Sequence, residues 1–254
     1  MLQINTSKIT DNTERFSMDW GVHGILRMLS AYEFDEVLDI GSGAGEHQRF
    51  FELFDKQVYS IDMDKQADYV GDFMEVDFDK QFQAIWCSHV LEHQRNVGLF
   101  LDKIYEVLAD DGILAITVPL HQRETMIAGH LTSWSIPLLC YNLVMAGFDC
   151  VDADVLSIYE LSLIVRKRPA EHSECRKQSA LGIESDKMPL EHIARFFPYE
   201  VNQGATVSGT GYINWGGVID NYVLPAPVKP VSDIDIQSKN FNDNPGLRPK
   251  ILFQ

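Results

Sequence analysis

The sequence predicts an α/β fold with a mostly parallel, doubly wound sheet. Short apolar runs at 57–62 and 113–118 have the length of buried strands. Between them, residues 96–109 place apolar side chains at helical spacing. A third apolar run, Val37–Ile40, leads directly into a glycine-rich turn and a helical pattern. Strands that alternate with helices in this order imply right-handed crossovers and parallel strand pairing.

The other elements follow the same alternation along the chain. A helix is predicted from Glu14, with Trp20, Ile25 and Tyr32 on one face. The remaining predicted elements, in order, are a helix after Gly45, a short strand within 67–73, a strand from Phe82, a helix over 134–146, and two alternating stretches at 148–155 and 159–166. Residues 169–254 hold most of the prolines and predict a separate C-terminal extension, with a short helix at 188–197, turns around 209–217 and an arm over 233–254.

The glycine-rich turn allows several interpretations. Gly41, Gly43 and Gly45 alternate, whereas the dinucleotide fingerprint places its third glycine one position later, where this chain has Glu46. A phosphate-binding loop with Gly-Lys-Ser/Thr is absent from this turn. The pattern is acid-x-Gly-x-Gly-x-Gly, with Asp39 as the acid, and a carboxylate favours a cationic ligand over a pyrophosphate. A turn that binds nothing is the structural alternative.

At Asp39–Gly45, and again over Cys87–His93, the chain resembles the class I S-adenosylmethionine-dependent methyltransferases. The second motif is similar to the small-molecule branch of that family (methyltransferase type 11, or quinone-biosynthesis-like), and the resemblance covers residues 14–168. It implies S-adenosyl-L-methionine as cofactor and a Rossmann-like sheet of seven strands with a terminal antiparallel hairpin. It also implies methyl transfer to a small-molecule acceptor, with a saccharide or a lipid-linked precursor as candidates.

Several side chains are predicted to hold the cofactor. Asp62 ends a strand about twenty residues after the first glycine, where an acid can accept both ribose hydroxyl protons; Asp64 is the nearby alternative. The resemblance assigns the adenine to Asp72 and Phe73, a structural alternative being a turn aspartate beside a core phenylalanine. The predicted cofactor-binding residues are Asp39, Gly41, Ser42, Gly43, Gly45, Asp62, Met63, Asp72, Phe73 and Ser88.

Methyl transfer to an oxygen also requires removal of its proton, and histidine suits that task near neutral pH. His89 follows the fourth strand, and His130 lies where the resembling sugar-modifying and lipid-modifying enzymes often carry a histidine before the sixth helix, so these two are the predicted catalytic residues. His93 and His121 are weaker candidates, and each histidine also has a structural alternative as a capping or solvated side chain.

The composition of the chain disfavours some classes of binding partner. The formal net charge is −16, which disfavours nucleic acid and anionic membrane surfaces. No apolar window predicts a membrane span and no signal peptide is apparent, so a cytoplasmic location is expected. The four cysteines form no Cys-x-x-Cys pair, and the metal-binding aspartate of catechol-type enzymes is missing, so no metal is predicted. A homodimer is one expected arrangement. A nicotinamide-dependent oxidoreductase and a non-catalytic, cofactor-binding partner subunit are the functional alternatives.

Overall fold

A seven-stranded sheet lies at the centre of the molecule. In this computed structural model the structure describes residues 15–120, 126–168, 194–201, 215, 221–228 and 234–254. The strands are β1 (Arg15–Ser17), β2 (Glu36–Ile40), β3 (Gln57–Asp62), β4 (Tyr69–Val70), β5 (Phe82–Ser88), β6 (Leu108–Pro119), β7 (Asp154–Ser157), β8 (Glu160–Arg166), β9 (Asn221–Leu224), β10 (Asp235–Gln237) and β11 (Lys250–Phe253). The helices are α1 (Val22–Ala31), α2 (Glu46–Glu52), α3 (Val97–Val107), α4 (Ile136–Ala146) and α5 (Lys239–Asp243), with 3-10 turns at Leu91–His93 and Pro245–Leu247.

The strand order of this sheet is β4-β3-β2-β5-β6-β8-β7. All neighbours from β4 to β6 pair in parallel, whereas β8 runs antiparallel to both β6 and β7. The doubly wound sheet and the terminal hairpin are therefore confirmed, and the last strand lies between its two predecessors. Because β8 is reversed, its first residue, Glu160, pairs with Pro119 at the end of β6. Glu160 thus reaches the carboxyl edge of the sheet, where ligands bind in such folds.

Helices cover both faces of the sheet, and strand β5 contributes to both apolar layers. Ile85 and Cys87 pack in one layer with the buried residues of α3 and α4. Ala84 and Trp86 point the other way, into a layer with α1 and α2. A strand buried on both faces reads as a continuous apolar run, which is why the sequence predicted β5 without an alternating pattern.

Four element boundaries differ clearly from the prediction, and one of them is β7, which spans Asp154–Ser157 rather than 148–155. The helix predicted from Glu14 begins only at Val22, because Gly21 has a φ of 71° that interrupts the helix, and residues 15–17 form β1 instead. The short strand predicted within 67–73 is β4, and it has only two residues. Asp68, just before it, accepts hydrogen bonds from the backbone N–H and the hydroxyl of Ser60. Strand β6 begins at Leu108 rather than Ile113, with an irregular register opposite Phe82 and a φ of 63° at Asp111.

Most described parts of the C-terminal extension pack on the α1 face of the sheet, whereas Phe196 and Phe197 pack in the layer of α3 and α4. Strand β10 pairs in parallel with β1, and β11 pairs in parallel with β9, so the arm predicted over 233–254 contains paired strands. His23 of α1 lies 2.9 Å from the Tyr222 hydroxyl and 2.8 Å from the Leu247 carbonyl oxygen. Trp215 is fully buried in the same layer. The predicted helix at 188–197 and turns at 209–217 lie mostly outside the described residues.

The longest helices that the structure describes have 11 residues. None of the described helices has the length and hydropathy needed to cross a bilayer.

Candidate active site

The glycine-rich turn connects β2 to α2 in a conformation that requires glycine. Gly41, Gly43 and Gly45 have φ values of 75°, 52° and 72°. A Cβ atom on Gly41 would lie 2.2 Å from Val90 Cγ2, so no other residue fits there without displacing the segment after β5. The Gly41 N–H donates to the Ile61 carbonyl at 2.8 Å, and the Gly43 N–H donates to the Asp62 carboxylate at 2.9 Å. The turn is therefore fixed to the end of β3.

A cavity of about 350 Å³ opens beside this turn, at the carboxyl ends of β2, β3 and β4. Doubly wound sheets bind ligands at this edge. Five predicted cofactor residues line the cavity: Gly41, Asp62, Met63, Asp72 and Phe73. Its other lining residues are Ile40, Ile61, Gly71, Val90, His93, Gln94 and Phe100. Ser42, Gly43 and Gly45 line a smaller space of about 170 Å³ on the other side of the turn.

The two acids of the cavity make different contacts. Asp62 is half-buried and accepts the N–H groups of Gly43 and Asp64, at 2.9 and 2.8 Å. These bonds orient its carboxylate and leave lone pairs for further donors. Asp72 is exposed and accepts the Met74 N–H at 2.9 Å. Asp64, the alternative to Asp62, accepts the Gln66 N–H and does not line the cavity.

Phe73 and Met63 contribute apolar side chains to the wall and the rim of the cavity. Phe73 is 5% exposed and packs edge-on against Phe100 with ring centroids 5.1 Å apart, so it has the contacts of a core residue as well as a place in the cavity wall. Met63 is 74% exposed at the rim. An aromatic ring bound in the cavity would contact these apolar side chains.

Asp39 is a buried carboxylate below the turn. It is 1% exposed, and its Oδ2 atom accepts no hydrogen bond from the described residues. Burial, and then the charge of Asp62, raise the pKa of Asp39 to about 7. A buried acid that lacks a donor is stabilised in its ionised form by a cation, so this site suits an ammonium or a sulfonium.

The raised pKa of Asp39 predicts a pH-dependent stability. The folded pKa is above the unfolded value, so the stabilisation is complete below about pH 4 and is lost as the pH rises through about 7. The Asp39→Asn variant should lack this loss, which between pH 5 and pH 8 is on the order of 2–3 kcal/mol for a shift of this size. Urea unfolding of both proteins at pH 5 and pH 8 measures the difference. Parallel changes in the two proteins would show that Asp39 titrates normally.

Ser88 is the last residue of β5 and His89 follows it, and both lie beneath the N-terminus of α1. Ser88 is buried, its hydroxyl has no hydrogen-bond partner among the described residues, and a Cβ on Gly21 would lie 2.8 Å from it. His89 has a φ of 56°, and its ring lies between two buried carboxylates. Nδ1 is 3.3 Å from Glu92 Oε1, and Nε2 is 3.2 Å from Glu160 Oε2.

This carboxylate pair sets the charge of His89. Burial alone would lower its pKa, but the hydrogen bonds and charges of Glu160 and Glu92 outweigh burial and raise the pKa to about 9. The ring is therefore protonated near neutral pH and does not accept a proton there. The Trp20 ring packs over it with centroids 4.8 Å apart. The predicted catalytic role of His89 stays a prediction, and this geometry favours a positive charge over a base.

His130 lies on the loop after β6, against the 3-10 turn. Its ring packs edge-on against His93 with centroids 4.8 Å apart. The Glu92 carbonyl accepts the N–H groups of Leu131 and Thr132, at 2.7 and 3.2 Å, and so fixes this loop. His130 thus lies next to the cavity that His93 lines. His121 lies outside the described residues.

The sequence did not single out two residues of this region. Glu160 comes from β8, and its carboxylate accepts the Gly21 N–H at 2.9 Å as well as contacting His89. His47, in α2, lies with Nε2 3.1 Å from the Trp20 carbonyl, and burial lowers its pKa. Its neutral ring donates from Nε2 and keeps a lone pair at Nδ1. Only the register of β8 places Glu160 here, and no local motif indicates it.

A larger groove of about 810 Å³ lies near the opposite edge of the sheet, close to the start of β5. Its lining includes Asp79, Lys80, Lys103 and Glu106, and none of the predicted site residues. The smaller cavity, where the turn, the acids and the strand ends meet, is therefore the candidate active site.

Comparison with protein families gives one match. Residues 7–146, more than half of the chain, match a family model described as a methyltransferase domain. This match gives no support to a nicotinamide-dependent oxidoreductase. A search of curated proteins finds no significant match.

Solved structures with a similar fold are numerous, and the three described next are at most 21% identical to this chain. A chain in the complex that contains the Haloferax volcanii Trm112 methyltransferase activator is 16% identical, with a TM-score of 0.50 over 59% of this chain and 90% of that one. The Burkholderia thailandensis 1,6-didemethyltoxoflavin-N1-methyltransferase, solved with its substrate and S-adenosylhomocysteine, is 21% identical, with a TM-score of 0.49 over 57% and 76% of the two chains. Human N-acetylserotonin methyltransferase is 15% identical, with a TM-score of 0.47 over 58% and 52%.

Proposed function

This chain belongs to the methyltransferase-domain family and is an S-adenosylmethionine-dependent methyltransferase, and from this premise we propose that its acceptor is a small molecule. The observation that carries the proposal is the charge of the chain, −16, which repels nucleic acid. An aromatic surface supports it: Trp20, 36% exposed, covers His89 at the end of β5. Indole faces pack well against sugar rings and apolar chains, so a saccharide or a lipid-linked precursor is the proposed class.

The cofactor, S-adenosyl-L-methionine, supplies an electrophilic methyl group on a sulfonium when it is bound. We propose that Asp39 balances its positive charge, since that carboxylate is buried without a hydrogen-bond donor to Oδ2 among the described residues. Asp62 accepts the ribose hydroxyls, and the adenine lies in the cavity wall formed by Met63, Asp72 and Phe73. The proposed contacts to the methionine part are Gly41, Ser42, Gly43, Gly45 and Ser88.

On the acceptor side, we propose His89 and His130 as the catalytic histidines. His89 is protonated between Glu92 and Glu160, so both of its N–H groups are directed at carboxylates, and its proposed part is to hold the end of β5 in place beside the acceptor. His130 is the candidate base of the pair, next to the cavity. In-line positioning in a site that excludes water supplies much of the catalysis in such displacements.

The function is tested by transfer of isotopically labelled methyl from S-adenosylmethionine into a cell extract separated by ultrafiltration. Wild-type protein is expected to label the low-mass fraction, and Asp62→Ala, which should not hold the cofactor, is expected to label nothing. Label confined to protein or nucleic acid would contradict the proposal. Tight binding of S-adenosylhomocysteine without label in either fraction would favour the non-catalytic partner subunit.

The division into a cofactor domain, 1–168, and an extension, 169–254, is also a proposal. The described parts of the extension bury Tyr222 and Trp215 against the α1 face, which supports a role in completing the core there. A lid and an oligomer contact are the other proposed roles of the extension, and sedimentation of the full chain tests the proposed homodimer. A cytoplasmic location is also proposed, since the four scattered cysteines, without a Cys-x-x-Cys pair, suit a reducing compartment.

A further inference from the structure

Three side chains converge at the junction of the 3-10 turn and the loop after β6. Glu92, His93 and His130 each turn one potential ligand atom toward the others, and these atoms lie within 4.8 Å of one another. Atoms bound to one tetrahedral zinc ion are separated by about 3.4 Å, given metal–ligand distances near 2.1 Å. Small side-chain rotations would therefore bring the three atoms onto a single ion.

Glu92 is the buried member of this group. Its side chain is 1% exposed, its Oε1 atom contacts imidazole nitrogens, and its Oε2 atom has no hydrogen-bond partner among the described residues. Oε1 lies 3.3 Å from His89 Nδ1 and 3.8 Å from His93 Nε2, so its neighbours in this direction are nitrogen atoms. His89 is one cationic neighbour of this buried carboxylate, and the lone pairs that remain leave room for a second cation.

The ring of His93 is oriented as a metal ligand is. Its Nδ1 lies 2.8 Å from the Gly129 carbonyl oxygen, which can only accept, so Nδ1 carries the proton. In the neutral ring the lone pair is then at Nε2, the atom that faces Glu92. Metal-bound histidines commonly donate their second N–H to a backbone carbonyl in this way, which fixes the tautomer.

The backbone fixes the two sides of the cluster relative to one another. Gly129, with a φ of 85°, presents its carbonyl to His93. The Glu92 carbonyl accepts hydrogen bonds from the N–H groups of Leu131 and Thr132. His130 directly precedes these two residues, and the loop continues after them to α4. The ligand atoms are thus carried by segments that are already hydrogen-bonded to each other, which lowers the ordering cost of binding an ion.

We propose that Glu92, His93 and His130 form a binding site for one divalent transition-metal ion, such as Zn²⁺ or Co²⁺. Two imidazoles and one carboxylate favour these ions over Mg²⁺, which prefers oxygen ligands. Three protein ligands leave one tetrahedral position for water or another oxygen ligand. The cysteine spacing and the catechol-type aspartate considered in the sequence could not indicate this site, because its ligands come from a Glu-His pair and a histidine 37 positions further along the chain.

The proposed ion also bears on His130. As a metal ligand, His130 holds no lone pair for an acceptor proton, so this role and the proposed role as base exclude each other. The metal site itself does not depend on the acceptor or on methyl transfer, and it is tested without either.

The test is a titration of Co²⁺ into chelator-treated full-length protein, followed by the visible d–d absorption of the bound ion. One equivalent is expected to bind and to give the intense absorption of a tetrahedral site, and Zn²⁺ is expected to displace it. Glu92→Gln, His93→Gln and His130→Gln should each weaken binding by more than about tenfold, because even lost outer-shell partners cost that much. Zn²⁺ should also raise the thermal unfolding midpoint of wild type.

Glu75→Gln is the matched control, since Glu75 is an exposed glutamate outside the cluster, and it should bind Co²⁺ like wild type. Circular dichroism of each metal-free variant checks its fold. If Glu92→Gln does not fold, His130→Gln, on the loop, decides the question. Wild type that binds no equivalent of Co²⁺ or Zn²⁺, or cluster variants that bind as tightly as wild type, would overturn the proposal.

Discussion

Asp62→Ala is expected to weaken the binding of S-adenosylhomocysteine by at least about 100-fold, the loss of two charge-assisted hydrogen bonds at roughly 1.5 kcal/mol or more each. Asp62 lines the cavity, and its carboxylate is already oriented by the N–H groups of Gly43 and Asp64. Two ribose hydroxyls would donate to its remaining lone pairs. The substitution also frees the Gly43 N–H, so the turn itself loses a fixed contact.

Calorimetric titration of wild type, Asp62→Ala, Asp62→Asn and Asp64→Ala separates these contributions. Asp62→Asn retains an oxygen that can accept one N–H, so its loss should be smaller than that of Asp62→Ala. Asp64 is two residues away and exposed, yet it does not line the cavity, so Asp64→Ala should bind nearly as wild type does. Equal losses at Asp62 and Asp64 would mean that the ribose contact is wrongly assigned.

The strands of the sheet were predictable where local sequence decides them. Residues 57–62 form β3 within the predicted limits, because an apolar run there ends at an acid and a turn. The start of α1 was not predictable, since it depends on the left-handed Gly21 and on a hydrogen bond to Glu160, 139 positions away. The pairing of β1 with β10 depends on a still longer separation, and no local pattern encodes it.

The residues of the candidate site likewise fall into those that local sequence predicts and those that depend on distant parts of the chain. Gly41, Asp62, Met63, Asp72 and Phe73 were predictable because the cavity is built from consecutive strand ends, whose spacing along the chain is nearly fixed. The carboxylates around His89 were not, because Glu160 arrives through the antiparallel register of β8 and Glu92 is buried by the loop that it binds. The resemblance indicated which histidine ends β5, but the charge of that histidine follows only from its three-dimensional neighbours.

Glu160→Ala is expected to lower the free energy of unfolding by about 3–5 kcal/mol, the usual cost of removing one partner of a buried ion pair. Glu160 is 1% exposed, and its carboxylate serves both the Gly21 N–H and the His89 ring. Alanine leaves that N–H without its acceptor and leaves the His89 ring paired on one side only. Guanidinium unfolding at neutral pH measures the change.

Two further variants show whether charge or hydrogen bonding causes this loss. Glu160→Gln keeps one acceptor oxygen for Gly21 but removes the charge and replaces the second oxygen with an NH2 group, so its cost should fall to about 1–3 kcal/mol. Glu36→Ala removes the partly exposed carboxylate that pairs with Lys80, and this loss should cost no more than about 1 kcal/mol. If Glu160→Ala proved as mild as Glu36→Ala, the carboxylate would not be holding the start of α1. Since that start carries Gly21 next to Trp20, whose ring lies over His89, the stability of this contact and the shape of the acceptor side are set by the same buried carboxylate.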